Sequence, residues 1–215
     1  MDRNHVLIVY EIIAFLFAIC VHESAHAWTA NRCGDPTARM LGRITLNPIK
    51  HIDPIGTILV PAIGILSGFG FVGWAKPTPV DPRNLRHPVR DDILTSVAGP
   101  ASNILIALIA AILLEVILVT TGGQIGENSI LVPLIMLLRT FVFINILLAA
   151  FNLIPIPPLD GSHVVRHLLS DSARRVYDMV GLVGLLLLFW IGGPLIQAFM
   201  SPFVAVFHAL FPRVI

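Results

Sequence analysis

The chain has 215 residues, 56% of them hydrophobic and 13% charged, with a mean hydropathy of +0.85. A soluble domain is about 25% charged, so this composition excludes a soluble globular protein and defines an integral membrane protein. The formal net charge of +1 argues against nucleic acid as a partner, and no hydrophilic block is long enough for an appended soluble domain. Residues 1–215 therefore read as one membrane-embedded domain.

In chain order, the first predicted helix runs from about Val6 to Ala30, and Gly34-Asp35-Pro36 stops it. Its first part, Val6 to Val21, is apolar except for Glu11, and it continues into His22-Glu23-Ser24-Ala25-His26. Arg3, the apolar run and Ala25-His26-Ala27 mimic a signal peptide with its cleavage site. Glu11 interrupts that pattern, and the remaining chain is itself membrane-like, so the segment reads as a span. Cys20 and Cys33 lie about 20 Å apart on a continuous helix, too far for a mutual disulfide.

A polar loop with Arg32, Arg39, Arg43 and Lys50 follows. The apolar segment Pro54 to Trp74 is rich in proline and glycine and is poor material for a straight helix. Its Gly68, Gly70 and Gly73 match a dinucleotide-binding pattern but have no βαβ context, so that match is discarded. A second basic loop holds Lys76, Arg83, Arg86 and Arg90, and a long span extends from about Ile93 to Thr120. The linker Gly122 to Ser129 lacks lysine and arginine. A third span, Ile130 to about Ile154, ends in a proline-rich stretch, beyond which come Arg166, Arg174 and Arg175. The C-terminal segments, about 176–211, form one span plus an interfacial piece, or two short spans.

Loop charge sets the expected topology: the three basic stretches face the cytoplasm and the 122–129 linker faces out. Pro54 to Trp74 must then enter and leave on one side, as a re-entrant loop or hairpin. The expected fold is an all-α polytopic bundle of about four to six membrane segments, with that re-entrant loop or β-hairpin between the first and second spans.

An H-E-x-x-H run on a helix carries a mechanism. Positions i and i+4 share one helical face, so His22 and His26 point at a single cation, for which zinc is the best fit. Glu23, beside the first imidazole, is placed to act as general base on the attacking water. A chance spacing is disfavoured because ionisable residues in a span are costly and mark functional sites. Catalytic zinc usually takes three protein ligands, and Asp160, after the third span on the same predicted side, is the candidate for the third. Asp160-Gly161 can also be read as a simple turn or a helix cap. His163 and His167 repeat the spacing but lack an intervening acid, and read as a solvated helix face. Glu115 and Arg139, the other charges within spans, are left to packing or snorkelling.

These residues resemble the site-2 proteases, the zinc intramembrane metalloproteases. The resemblance rests on His22-Glu23-x-x-His26, on Leu159-Asp160-Gly161 after a later span, and on Gly99-Pro100-Ala101-Ser102-Asn103 at the head of the middle span. It covers about residues 6–165, the expected catalytic core. It implies His22, His26 and Asp160 as ligands of one Zn2+ per chain, and Glu23 as the catalytic acid and base. It further implies that Asn103 and Asn152 hold the substrate backbone, and that Gly73-Trp74-Ala75-Lys76-Pro77 is the edge of a membrane-inserted β-hairpin. The two asparagines also fit interhelical hydrogen bonding. With no PDZ or CBS domain and no span ahead of the first helix, the chain resembles a minimal prokaryotic form.

The implied activity is hydrolysis of peptide bonds within or near transmembrane segments of membrane-protein substrates, in the cytoplasmic membrane and with the site toward the cytoplasm. Rival classes are a metal transporter or sensor, which leaves Glu23 unexplained, and an inactive scaffold. A homo-oligomer is left open.

Overall fold

The computed structural model describes residues 3–66, 73–126, 129–191 and 193–214. Helix α1 (Arg3–Cys33) is followed by the single turn α2 (Thr37–Met40), the short α3 (Val60–Leu66) and the long α4 (Pro88–Thr120). Beyond these come α5 (Leu131–Asn152), the short α6 (Gly161–Arg166), α7 (Asp171–Ile191) and α8 (Gly193–Leu210). No strand occurs among the described residues. Four helices are long and apolar enough to cross a membrane: α1, α4, α5 and α8. The fold is an all-α polytopic membrane protein.

Helices α1, α4 and α5 form the central unit, each antiparallel to the next. Low-numbered residues of α4 meet the end of α1, where Arg86 just before α4 donates its N–H to Cys33 O at 3.0 Å. High-numbered residues of α4 meet the start of α5. Small side chains permit this close approach, as they do between helices in lipid. Ala107, Ala110 and Ala111 of α4 are buried with Leu114 against Val142 and Ile146 of α5 and Phe207 of α8. Ala14 and Ala18 of α1 pack in the same manner against Ile144. The three basic stretches consequently share one end of the bundle, and residues 121–126, which follow α4, lie at the other.

Between α1 and α4 the chain makes the expected re-entrant excursion. Pro54–Leu59 is wound as a π-helix, capped by Asp53, whose carboxylate accepts from Ile55 N and Gly56 N, and it leads into α3. Residues 67–72 fall outside the described residues. The returning arm meets the base of the outgoing one: Trp74 N donates to Gly56 O at 3.0 Å and Lys76 N to His51 O at 2.8 Å. A Cβ on Gly56 would lie within 2.4 Å of the Trp74 indole, so only glycine admits this crossing. Arg43, buried, ties the base by donating to the carbonyls of Lys50, Lys76 and Pro77. Of the two expected forms the outgoing arm is a helical loop. Gly73 to Pro77, expected as a hairpin edge, carries neither helix nor strand.

At the C-terminus α7 and α8 differ in kind. The first part of α7 carries Asp171, Arg174, Arg175 and Asp178, and the helix packs by Gly181 and Tyr177 on the proline-rich loop after α5. Helix α8 packs on α5 and fills the core with Phe207. Of the two sequence readings this favours one span and one amphipathic piece.

Candidate metal centre

Helix α1 brings His22 and His26 onto the face that packs against α4, and both are buried. Each ring is oriented through Nδ1. His26 Nδ1 lies 2.7 Å from Thr95 O, a carbonyl that can only accept, so the imidazole donates from Nδ1. His22 Nδ1 lies 2.5 Å from Asn103 Oδ1, while Asn103 donates its amide N–H to Asn145 Oδ1 at 2.8 Å. This fixes the Asn103 oxygen as an acceptor and His22 Nδ1 as the donor.

In the neutral tautomers both Nε2 atoms are left bare. They lie 2.9 Å apart, and Asp160 Oδ2 sits 3.2 Å from His22 Nε2 and 3.4 Å from His26 Nε2. An aspartate carboxyl is ionised at neutral pH, so Asp160 meets the two neutral imidazoles as an anion. Its Oδ2 is buried and lacks an ordinary hydrogen-bond partner among the described residues. Three electron-pair donors thus converge on one point. A single proton serves one edge of that triangle, whereas a cation at its centre serves all three corners. Tetrahedral zinc with N and O ligands at about 2.0–2.2 Å separates neighbouring ligand atoms by about 3.3–3.5 Å, close to the two Asp160 edges of 3.2 and 3.4 Å, while the Nε2–Nε2 edge of 2.9 Å is shorter. The residues present fit such an ion.

Helix α4 supplies the rest of the setting from one face. Asp92, Thr95, Gly99 and Asn103 follow one another by three or four residues and so line one side of the helix. Gly99 faces the ligands directly, since a Cβ there would lie 2.3 Å from His26 Nε2 and 2.5 Å from His22 Nε2. Glu23 is buried beside them and accepts from the Thr78 backbone N–H at 2.8 Å, while Thr78 Oγ1 donates to Glu23 O at 2.9 Å. The returning arm of the excursion is thereby fastened to the pentad.

The two asparagines, each read as substrate-holding or as an interhelical contact, are placed differently. Asn103 is fully buried and spends both ends of its amide on protein, between His22 and Asn145, which is the interhelical arrangement and not a substrate-facing one. Asn152 is half-buried and donates to Leu148 O of its own helix. His163 and His167 are not a solvated face: His163 Nδ1 and His167 Nε2 both bond Asp92 Oδ2, at 3.0 and 2.7 Å, because α6 folds back against the head of α4. Glu115 pairs with Arg213 near the other end of the bundle. Thr78, Asp92, Thr95 and Asn145 escaped the sequence reading. For Asp92, Thr95 and Asn103 the signal was available as a polar stripe at helical spacing in an apolar span. Thr78 O–H and N–H contacts have no sequence signal.

A bundle of apolar helices enclosing an H-E-x-x-H helix and a convergent aspartate defines a multi-pass membrane protein of the metalloprotease class. The profile of peptidase family M50, the site-2 proteases, matches residues 10–191, and the chain belongs to that family. The chain is 35% identical over 214 residues to "Putative zinc metalloprotease YwhC" of Bacillus subtilis, covering 95% of this chain and 94% of the relative. It is 31% identical over 165 residues to "Putative zinc metalloprotease Rip2" of Mycolicibacterium smegmatis, covering 76% of this chain and 59% of that protein. Over 128 residues it is 30% identical to "Regulator of sigma-E protease RseP" of Escherichia coli, covering 55% of this chain and 28% of the relative. No solved structure matches the chain significantly. The chain is a zinc metalloprotease.

Proposed function

We propose that this metalloprotease is an intramembrane endopeptidase that hydrolyses peptide bonds within or near transmembrane segments of membrane-protein substrates, with one Zn2+ per chain held by His22, His26 and Asp160. The observation that carries the reading is the meeting of three bare electron pairs under Gly99, beside Glu23. His22 lies 11 residues before the end of α1, about 16 Å along the helix, which is membrane depth.

Zinc in that position supplies Lewis acidity, lowering the pKa of water and polarising a peptide carbonyl. The chain's own residues do the rest. Asn103 and Thr95 hold the two imidazoles in the tautomer that presents Nε2. Glu23 takes a proton from the attacking water and returns one to the leaving amine, and the Thr78 N–H keeps its carboxylate in place. Asn103 is a positioning residue on this reading. Asn152, half-buried, remains the candidate for holding an unwound substrate backbone, which must be freed from its helical hydrogen bonds before attack. The returning arm from Gly73 is the stretch along which such a segment would add as an extended strand. The charge of the loops at the metal end supports a cytoplasmic orientation in the cell membrane.

The test uses detergent-purified chain and a panel of quenched fluorescent transmembrane peptides, with zinc measured on the same samples. Wild type binds about one zinc and cleaves; Glu23→Gln keeps the zinc and loses cleavage by at least about 1,000-fold. Equal cleavage by Glu23→Gln refutes the assigned role. Zinc-loaded wild type that cleaves none of the panel, nor transmembrane segments presented in a membrane, favours the transporter or scaffold class.

A further inference from the structure

Besides Glu11 of α1, two charges lie inside the spans away from the metal centre, and the structure treats these two differently. Glu115 on α4 has Arg213 as its ion-pair partner. Arg139 on α5 has no ion pair or hydrogen bond among the described residues. A guanidinium within an apolar span is costly and marks a functional position unless something anionic meets it.

The surroundings of Arg139 say what would. Arg139, Val142, Phe143 and Ile146 follow the helical repeat and form one face of α5. That face is opposed by Met200 and Val204 of α8, and Val214 of the C-terminal turn completes a cleft of about 200 Å3. Apart from the guanidinium the lining is apolar. Arg139 lies eight residues into α5, about 12 Å from its start at the end opposite the metal centre. Helical side chains lean toward the N-terminus, so the guanidinium reaches toward that end while the apolar face continues below it. A cation above and a greasy groove beneath is the complement of a lipid: a phosphate near the surface with an acyl chain descending between two helices. Arginine's planar fork suits a phosphate, with two N–H donors to two oxygens.

We propose that the α5–α8 groove is a binding site for an anionic phospholipid of the leaflet opposite the metal centre, with Arg139 as its headgroup ligand. The site is independent of the metal and of the proteolytic reading. Headgroup charge supplies the selectivity and the groove supplies the chain contact.

The experiment is native mass spectrometry of the full chain in detergent, titrated with equal amounts of phosphatidylglycerol and phosphatidylcholine, with inorganic phosphate as a third probe. Wild type binds one phosphatidylglycerol with a preference of about fivefold over phosphatidylcholine, the size expected for one basic side chain near a lipid surface. Arg139→Gln, an exposed position whose loss leaves the core intact, brings the two lipids to parity. Val204→Trp, which keeps the charge and fills the groove, loses both lipids. An undiminished preference in Arg139→Gln, no preference in wild type, or saturation of the site by inorganic phosphate alone overturns the proposal.

Discussion

His22 and His26 on α1 and His163 and His167 at α6 share one spacing, i and i+4, yet their ring nitrogens meet different chemistry. In the first pair both Nδ1 atoms are occupied by fixed acceptors, so both Nε2 atoms stand bare and face Asp160 Oδ2. In the second pair opposite nitrogens, Nδ1 of His163 and Nε2 of His167, point at one oxygen of Asp92 and donate to it. The first arrangement has electron pairs and no hydrogen between them; the second has a hydrogen for each contact. A metal centre is made by what holds the far side of the ring, and spacing along a helix only permits it.

The comparison breaks most severely at Gly99. An alanine there puts a Cβ 2.3 Å from His26 Nε2 and 2.5 Å from His22 Nε2, a steric overlap in the volume a metal would occupy, so both rings must be displaced. Zinc bound to purified Gly99→Ala should fall from about one per chain to near zero while the helical circular dichroism stays. A retained zinc of wild-type affinity would mean that the cation sits elsewhere.

How far the residues announced this arrangement differs from one element to the next. The first three crossing helices are legible because burial in lipid requires long apolar runs, and the excursion is legible because glycine and proline interrupt one such run. His22, Glu23 and His26 are legible because a local period places them together. Asp160 joins them from more than 130 residues away, and it is found only by matching bundle ends through loop charge. Asn103 was noticed with two readings, substrate-holding or interhelical, because a sequence does not say whether a buried amide faces a substrate or the ring behind it. The α7–α8 division stayed ambiguous because apolar stretches broken by glycine and proline fit a span or an interfacial helix equally. Thr78 and Asn145 act through contacts set by tertiary packing, which leave no periodic trace.

A smaller effect sharpens the comparison at Asn103. Replacing it with leucine keeps the volume but removes the acceptor on His22 Nδ1, and Asn145 loses its donor. The imidazole can then carry its proton on either nitrogen, and one tautomer blocks Nε2. Zinc affinity should weaken about 10- to 100-fold, measured by competition with a chelator of known affinity. Stoichiometry at saturating zinc should stay at about one. An unchanged affinity would return Asn103 to the role of a simple interhelical contact.

The smallest effect belongs to the second pair. Asp92 joins the head of α4 to α6, the helix that begins directly after Asp160. Replacing it with asparagine removes the charge that two histidines share, yet leaves an oxygen of the same shape able to accept from one of them. The loss is one charge-assisted hydrogen bond, about 1–3 kcal/mol, and should appear as a lower unfolding midpoint in detergent. Zinc at saturation should remain at about one per chain, because His22, His26 and Asp160 are untouched. The double change His163→Gln with His167→Gln should behave likewise. If either variant lost its zinc outright, the second pair would be part of the metal centre and the distinction between the two pairs would fail. A lowered midpoint with zinc retained would assign α6 a mechanical role, holding the Asp160 loop against the face of α4 that already positions both imidazoles.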